Sequence, residues 1–301
     1  MPQLHTQVLN FYAQFYETRK KISELTAAYW SDLELYNWLN QGQLYIATKS
    51  KCLTKEVTVT SITDTATYDL KDNSFGDIIN ISEDGVYFKI NGTTYQPLTF
   101  KTKWQLNTEF PNWQGQSASV PQYYYYNKAT KTIGLYPKPN SSNAGAYLFV
   151  NGYYKPKVLN AGIVSALSGT TLTLAVGSST VPYPSITNDY YNGLYIELYS
   201  GIGAGQTREI TDYTGATGQC TVATWTTNPD TSTVYGLIPE IPEEAQYLMV
   251  LFADAKAWEK TGTRTQLAQV YWKEFFSGLQ AFIGETIEAD DEMIVRDSYR
   301  S

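Results

Sequence analysis

The sequence predicts an α+β protein: a helical bundle drawn from both ends of the chain, a central antiparallel β region and an inserted small β-sandwich or barrel domain. Three observations carry this. Apolar residues recur at helical spacing before residue 53 and after residue 238, and alternate with polar ones between. Residues 158–238 hold no lysine and one arginine (Arg208) against Asp189, Glu197, Glu209, Asp212 and Asp230, and are dense in Thr, Ser, Gly and Val. Neither terminal helix pair has enough apolar surface for a core of its own, so the two are expected to share one. With 301 residues, 43% of them hydrophobic, the chain can bury a core in two or three domains.

Residues 1–52 supply the first helices. Leu4, Val8, Phe11 and Phe15 recur at helical spacing, and the helix runs out in Arg19 to Lys21, where positive charge suits a C-terminus. Ser31 with Glu34 three residues on is a capping-box signature, followed by Leu35, Trp38, Leu39 and Ile46 on one face. Residues 53–157 form the central β domain. There KEVTVTSITDTATYDL alternates Val57, Val59 and Ile62 with threonines, and IINIS, GVYFKI and TYQPLTF follow as short strands. Asp84-Gly85 and Asn91-Gly92 between them are hairpin-turn signals, because these residues accept positive φ. Lys101 to Gly115 is less regular and carries Trp104 and Trp113. The strand QYYYYN, the turn KATK and the strand TIGLYP come next, then AYLFVNGYYKP.

Residues 158–238, flanked by Pro156 and by Pro239 and Pro242, are expected as the inserted domain, with strands such as TTLTLAV, GLYIELYS, TREITDY, QCTVATW and TSTVYGLI. Residues 239–284 return to helix. Pro242 suits a first helical position, Glu243 and Glu244 its positive end, and Leu248, Leu251, Phe252 and Ala255 a buried face. Gly262 ends that helix. Thr263 with Gln266 forms a second capping box ahead of Leu267, Val270, Tyr271, Phe275, Leu279 and Phe282. Residues 285–301 read as an acidic tail with no sustained apolar face.

Little in the sequence supports catalysis. The single histidine, His5, excludes Ser-His-Asp, Cys-His and multi-histidine metal sites within one chain. Cys52 and Cys220 lie far apart and offer neither a disulfide framework nor metal-ligand spacing, so a reducing compartment is expected. The glycine-rich Ser200 to Tyr213 lacks a Lys-Ser/Thr ending and falls between strands, where no helix dipole completes a phosphate cradle. Asp290 and Asp291 lie in the tail and Glu83-Asp84 in a turn, neither a rigid carboxylate pair. No cofactor, metal or enzymatic activity is expected. A net charge of −7 argues against affinity through phosphate neutralisation. The N-terminus shows no signal peptide, the apolar run YLMVLFADAKAW is too short to span a membrane, and the sequons at Asn80, Asn91 and Asn140 carry no weight in a protein made in a reducing compartment. Trp104, Trp113, Trp225 and the 26 tyrosines leave two readings: stacking platforms for a glycan, or aromatic residues of cores and subunit contacts.

The order of pieces resembles the head-to-tail adaptor (connector, or neck) proteins of tailed bacteriophages. The likeness rests on DLELYNWLNQGQLYIATK, VPQYYYYNKATKTIGLYPKP, VNGYYKP and IPEIPEEAQYLMVLFADAKAWEKTG, while the 158–238 segment departs from the short members of that family. The resemblance implies a non-enzymatic ring, twelve copies strong, stacked on the portal protein in the virion neck after assembly in the host cytoplasm. It implies a downstream tail or nozzle protein below, dsDNA passing through the lumen without specific binding, and no membrane. By position it assigns portal docking to the tail, with Glu285, Ile287, Asp290, Asp291, Met293, Arg296 and Tyr299, ordering on binding. In strand geometry Tyr123 and Tyr125 face one way, Tyr124 and Tyr126 the other. The hairpin, with Tyr136, is expected to supply subunit contacts. A receptor- or glycan-binding tail protein without enzymatic activity is the alternative.

Overall fold

The computed structural model describes residues 9–70, 78–90, 94–143, 145–178, 181–262 and 265–298; the side chains of 83, 84 and 285–298 lie outside that description. Two helices, α1 (Phe11–Lys21) and α2 (Asp32–Ser50), precede β1 (Thr54–Thr60), β2 (Thr67–Asp69), β3 (Ile78–Ile90), β4 (Thr94–Pro97) and β5 (Thr99–Phe100). Then follow α3 (Lys103–Glu109), β6 (Tyr123–Asn127), β7 (Thr132–Tyr136) and β8 (Tyr147–Tyr154). The chain continues with β9 (Ala161–Ile163), β10 (Ala166–Ser168), β11 (Thr171–Thr173), β12 (Tyr195–Ser200), β13 (Thr207–Thr214), β14 (Gln219–Val222) and β15 (Val234–Leu237). It closes with α4 (Glu243–Thr261) and α5 (Thr265–Ser298). The class is α+β, with terminal helices packed together, several antiparallel sheets and one curled half-barrel sheet. Contacts divide the chain into two compact units. One spans residues up to Cys52 and from Pro156 on, the other Leu53–Lys155. The 158–238 segment thus groups with the helices, and the sandwich of 53–155 interrupts that unit's sequence.

In the first unit α4 touches α1, α2 and α5. Its buried residues include Ala245, Leu248, Val250, Leu251, Ala253, Ala255, Ala257 and Trp258, so it is buried nearly all round, as befits a central helix, and takes Gln246 and Asp254 inside with it. The capping box at Ser31 and Glu34 is present, and Gly262 closes α4 at φ 65°. Pro242 stands one residue before the first helical position, as the residue that caps α4. The first helix begins later than its apolar spacing suggested: Asn10 is extended, and its Oδ1 accepts from Ala13 N at 2.8 Å, so the helical turn starts at Phe11. Leu4, Val8, His5 and the Thr263 cap lie outside the described residues.

The seven-stranded sheet of this unit runs β10-β11-β14-β13-β12-β15-β9. Its two edge strands are consecutive in the chain, separated only by Val164 and Ser165. A flat seven-stranded sheet would hold them about 29 Å apart at roughly 4.8 Å per strand, and two linking residues reach only about 11 Å. The sheet therefore curls until its edges approach. Val164 N donates to Thr233 O at 3.0 Å on one side and Ser165 N to Thr173 O at 3.1 Å on the other. Helix α1 packs on β15 and β9, and Gly236 permits it: a Cβ there would lie 2.6 Å from Asn10 Oδ1 and from Tyr12 N.

The second unit is a sandwich. Sheets β1-β8-β3-β4 and β2-β7-β6-β5 share one core, with Val57, Val86, Phe88, Leu148 and Val150 from the first meeting Tyr68, Tyr124, Ile133 and Leu135 from the second. Two sequence expectations change here. Asp84-Gly85 does not turn the chain back. β3 continues along the same neighbour, and the extra residues make an irregularity between Ile81 and Val86, because β8 runs on past both. TYQPLTF divides at Leu98 into β4, which joins the first sheet, and β5, which pairs parallel with β6 in the second. β3 and β4 do pair as a hairpin, across residues 91–93 that lie outside the described ones.

Candidate functional site

The tyrosine hairpin keeps its alternation. Tyr124 is buried in the sandwich core and Tyr126 packs against it, while Tyr125 and Tyr136 are buried on the opposite face beside Leu106 and Trp113, with Tyr123 and Phe110 packed against them. α3 and the turn Trp113–Gly115 thus form a lid over the second sheet, made from the stretch the sequence left irregular. Trp113 stands edge-on to Tyr125 at 5.5 Å and to Tyr136 at 5.8 Å, and its Nε1 donates to Asn107 Oδ1 at 2.6 Å. The Tyr125 ring lies over its cross-strand partner Gly134, where a Cβ would come within 2.0 Å of it. Three of the five side chains expected at a subunit contact therefore serve the unit's own interior. Tyr123 and Tyr126 are half-buried, Tyr126 against the sandwich core and Tyr123 against the layer under α3.

The tail expectation also changes. The helix does not stop at Gly284: α5 is 34 residues long against 19 for α4 and is helical through Ser298. At 1.5 Å per residue the stretch from Glu285 to Ser298 extends the rod by about 20 Å. Glu285, Ile287, Asp290, Asp291, Met293 and Arg296 sit on this helical backbone, and Tyr299 lies outside the described residues.

Charged groups inside the first unit hold helices and loops together. Arg19, read from sequence as a C-terminal charge, is fully buried. It donates from Nη2 to Trp30 O at 2.7 Å, from Nη1 to Glu24 Oε1 at 3.2 Å and from Nε to Asp32 Oδ1 at 3.1 Å. Glu24 Oε1 in turn accepts from the amides of Ala28, Tyr29 and Trp30 at 2.8–3.0 Å. Burial opposes that charge, but the three amides and Arg19 prevail and hold the carboxyl below the usual range. At the α1–α4–α5 junction Asp254 is fully buried, its oxygens have no hydrogen-bond partner, and Lys21 Nζ lies 3.6 Å away. Burial pushes its pKa up to about 8, against the pull of Lys21. Lys21 also lies over the Tyr247 ring at 4.5 Å.

The remaining motifs take these places in the fold. The glycine-rich loop joins β12 to β13 with Gly201, Gly203 and Gly205 at positive φ, and Gln206 laces it, donating to Gly203 O at 3.0 Å and Thr227 O at 2.8 Å. Cys52 and Cys220 are free thiols, and burial pushes Cys220 up to about 12. Among the described residues no group of His, Cys, Asp and Glu could hold a metal, and no helix is long and apolar enough to cross a membrane. Of the three tryptophans weighed for a glycan platform, Trp113 and Trp225 are buried and Trp104 is 74% exposed. A further surface escaped sequence reading. The long link from Leu174 to Leu194 is pinned inside: Ala175 N donates to Tyr235 Oη at 2.7 Å, Asn160 Nδ2 to Pro182 O at 2.7 Å and Tyr213 Oη to Ser185 O at 2.5 Å. Outside, it shows Val176, Tyr183 and Ile186.

A family model described as SU10 adaptor protein matches residues 14–200, and the chain belongs to that family of phage head–tail adaptors. The match takes in α2, the whole sandwich and the half-barrel as far as the end of β12; the helices α4 and α5 lie beyond it. No curated protein matches the chain.

Proposed function

We propose that this adaptor forms a ring of twelve copies, coaxial with the portal, that carries the next tail or nozzle protein and surrounds the exit path of the DNA. Membership of the phage adaptor family carries the reading, and the acidity of the chain supports it. Residues 239–301 hold 12 acidic and six basic residues, which would let DNA slide past where each lysine–phosphate contact would slow it. Portal docking falls to the end of α5. A pre-formed helix loses less entropy on docking than a disordered tail, so binding as a helix in a groove replaces the expected folding on contact.

The test is electron microscopy of the purified protein mixed with its own portal ring, beside portal alone. An added coaxial layer with the portal's symmetry is expected, and deletion of 285–301 should remove that layer while leaving the circular-dichroism spectrum of a folded α+β protein. No added density with both partners folded would overturn the ring, and undiminished docking by the truncated protein would overturn the role of α5.

A further inference from the structure

The sandwich has four edge strands and treats one of them differently. β2 and β5 are three and two residues long, and β4 carries Pro97. Pro97 opposes Tyr87 next to the ladder bond from Leu98 N to Val86 O, so its missing N–H is the one that would have faced outward. Short edges and edge prolines are the ordinary means by which sheets avoid pairing with other chains. β1 has neither: it is seven residues long, TKEVTVT, in unbroken register with β8.

That register fixes which groups are free. Tyr154 N donates to Leu53 O at 3.1 Å and Ser61 N to Ala146 O at 2.7 Å, one at each end of the pairing. Ladder bonds with β8 therefore belong to positions 55, 57 and 59, and Thr54, Glu56, Thr58 and Thr60 turn their N–H and C=O groups to the open edge. Their side chains are exposed, and no described residue takes those bonds. On the same outer face Phe149 stands opposite Thr58 and Tyr147 opposite Thr60, and Tyr95 lies 5.6 Å from Phe149. An incoming strand would thus find both a row of main-chain partners and an aromatic surface to extend.

We propose that β1 is a strand-addition site, and that its occupant is an extended segment of another virion protein with β-branched or aromatic residues at alternate positions. Free donors and acceptors at strand spacing select a strand over a helix. A second copy of this chain is a poor occupant. Its other sandwich edges are blunted, and β1 against β1 is a two-fold pairing that closes on a dimer and leaves nothing for a ring. An adaptor's partners are other virion proteins, which supplies the source.

Residue-resolved hydrogen exchange decides it, comparing the purified protein with necks isolated from virions. In the free protein the amides of Thr54, Glu56, Thr58 and Thr60 should exchange at near open-chain rates and those of Lys55, Val57 and Val59 slowly. In the neck the first four should slow by at least about 100-fold. Thr58→Pro removes one outward N–H and no ladder bond, so it should leave the thermal midpoint of the free protein unchanged and cut incorporation into necks at least about tenfold. Thr58→Val, which keeps the N–H, should incorporate normally. Edge amides as fast in the neck as in the free protein, or normal incorporation of a folded Thr58→Pro protein, would overturn the proposal. Protection that grows with concentration of the purified protein alone would also do so, by giving the edge to a second copy. If Thr58→Pro fails to fold, the exchange comparison decides without it. Ring formation on the portal is read separately in micrographs: a ring whose β1 edge exchanges fast overturns strand addition and leaves the ring standing.

Discussion

The two units bury different things. Among the described residues the first holds Asn10, Gln14, Thr18, Arg19, Gln43, Ser50, Asn160, Thr233, Gln246 and Asp254 in its interior, whereas the buried polar residues of the sandwich are Ser61 and Asn143. Both units bury aromatic rings, but the sandwich sets its own in two layers, a core between its sheets and a second one under α3. Their edges differ too: the half-barrel brings its edge strands together through two residues, whereas no described residue pairs with the outer side of β1 in the sandwich. A buried charge is held by partners supplied from several elements, so its site should fail when one partner is lost. A layer of packed rings is held by shape and should fail when a volume changes.

Arg19→Met should show the first kind of failure most strongly. The substitution is close to isosteric along the stem, but it strips Asp32, Glu24 and the Trp30 carbonyl of their shared donor. Breaking a buried ion pair from one side costs about 3–5 kcal/mol. Chemical denaturation should register a loss of that size; a loss under about 1 kcal/mol would show that water replaces the guanidinium freely.

Asp254→Asn should act the other way, and only at high pH. A carboxyl near pKa 8 in the fold and near 3.9 in the unfolded chain binds more protons when folded, so it destabilises the native state as pH rises through that window. Below about pH 4 both states are protonated and the cost vanishes; above about pH 8 it is complete. The groups around it are Lys21 and Glu17 on α1 and Glu274 and Tyr271 on α5, and these set how much of the cost survives. The asparagine variant should be more stable than wild type by about 2 kcal/mol at pH 8.5, once its own unpaired amide is allowed for. It should be no more stable at pH 4. A difference independent of pH would mean that Asp254 is not the titrating group.

What the sequence disclosed was local. The Ser31–Glu34 box, the Gly262 stop and the alternation of Tyr123 to Tyr126 each depend on residues within a few positions of one another, and all stand in the structure. Asn10 was hidden because the apolar spacing of Leu4 and Val8 ran straight through it. Asp84-Gly85 accepts the backbone of a turn or of an irregular strand, and only β8, some 65 residues later, decides between them. β9 and β10, three residues each, are too short for any period to appear. Burial of Arg19 needed Asp32 to come back across the loop, and the open side of β1 needed the register with β8. The contacts that distinguish the units are long-range, and the candidate surfaces are built from them.

Gly134→Ala tests the second kind of failure with one carbon atom. The added Cβ would sit 2.0 Å from Tyr125 Cζ and 2.4 Å from its Cε1 and hydroxyl. Backbone on one side and Trp113 on the other leave that ring little room, so it must tilt out of its seat and disturb the layer under α3. Overpacking of this kind costs about 1–3 kcal/mol, and Gly134→Ala should fall at the lower end, because the turn Trp113–Gly115 can lift. The cause is checked by pairing it with Tyr125→Ala. Removing the ring abolishes the clash, so Gly134→Ala should cost nothing further in that background, and the strand should gain slightly from losing a glycine. If the two losses simply add, the cost of the alanine arises in the backbone of β7 and the ring over Gly134 is not what selects glycine there.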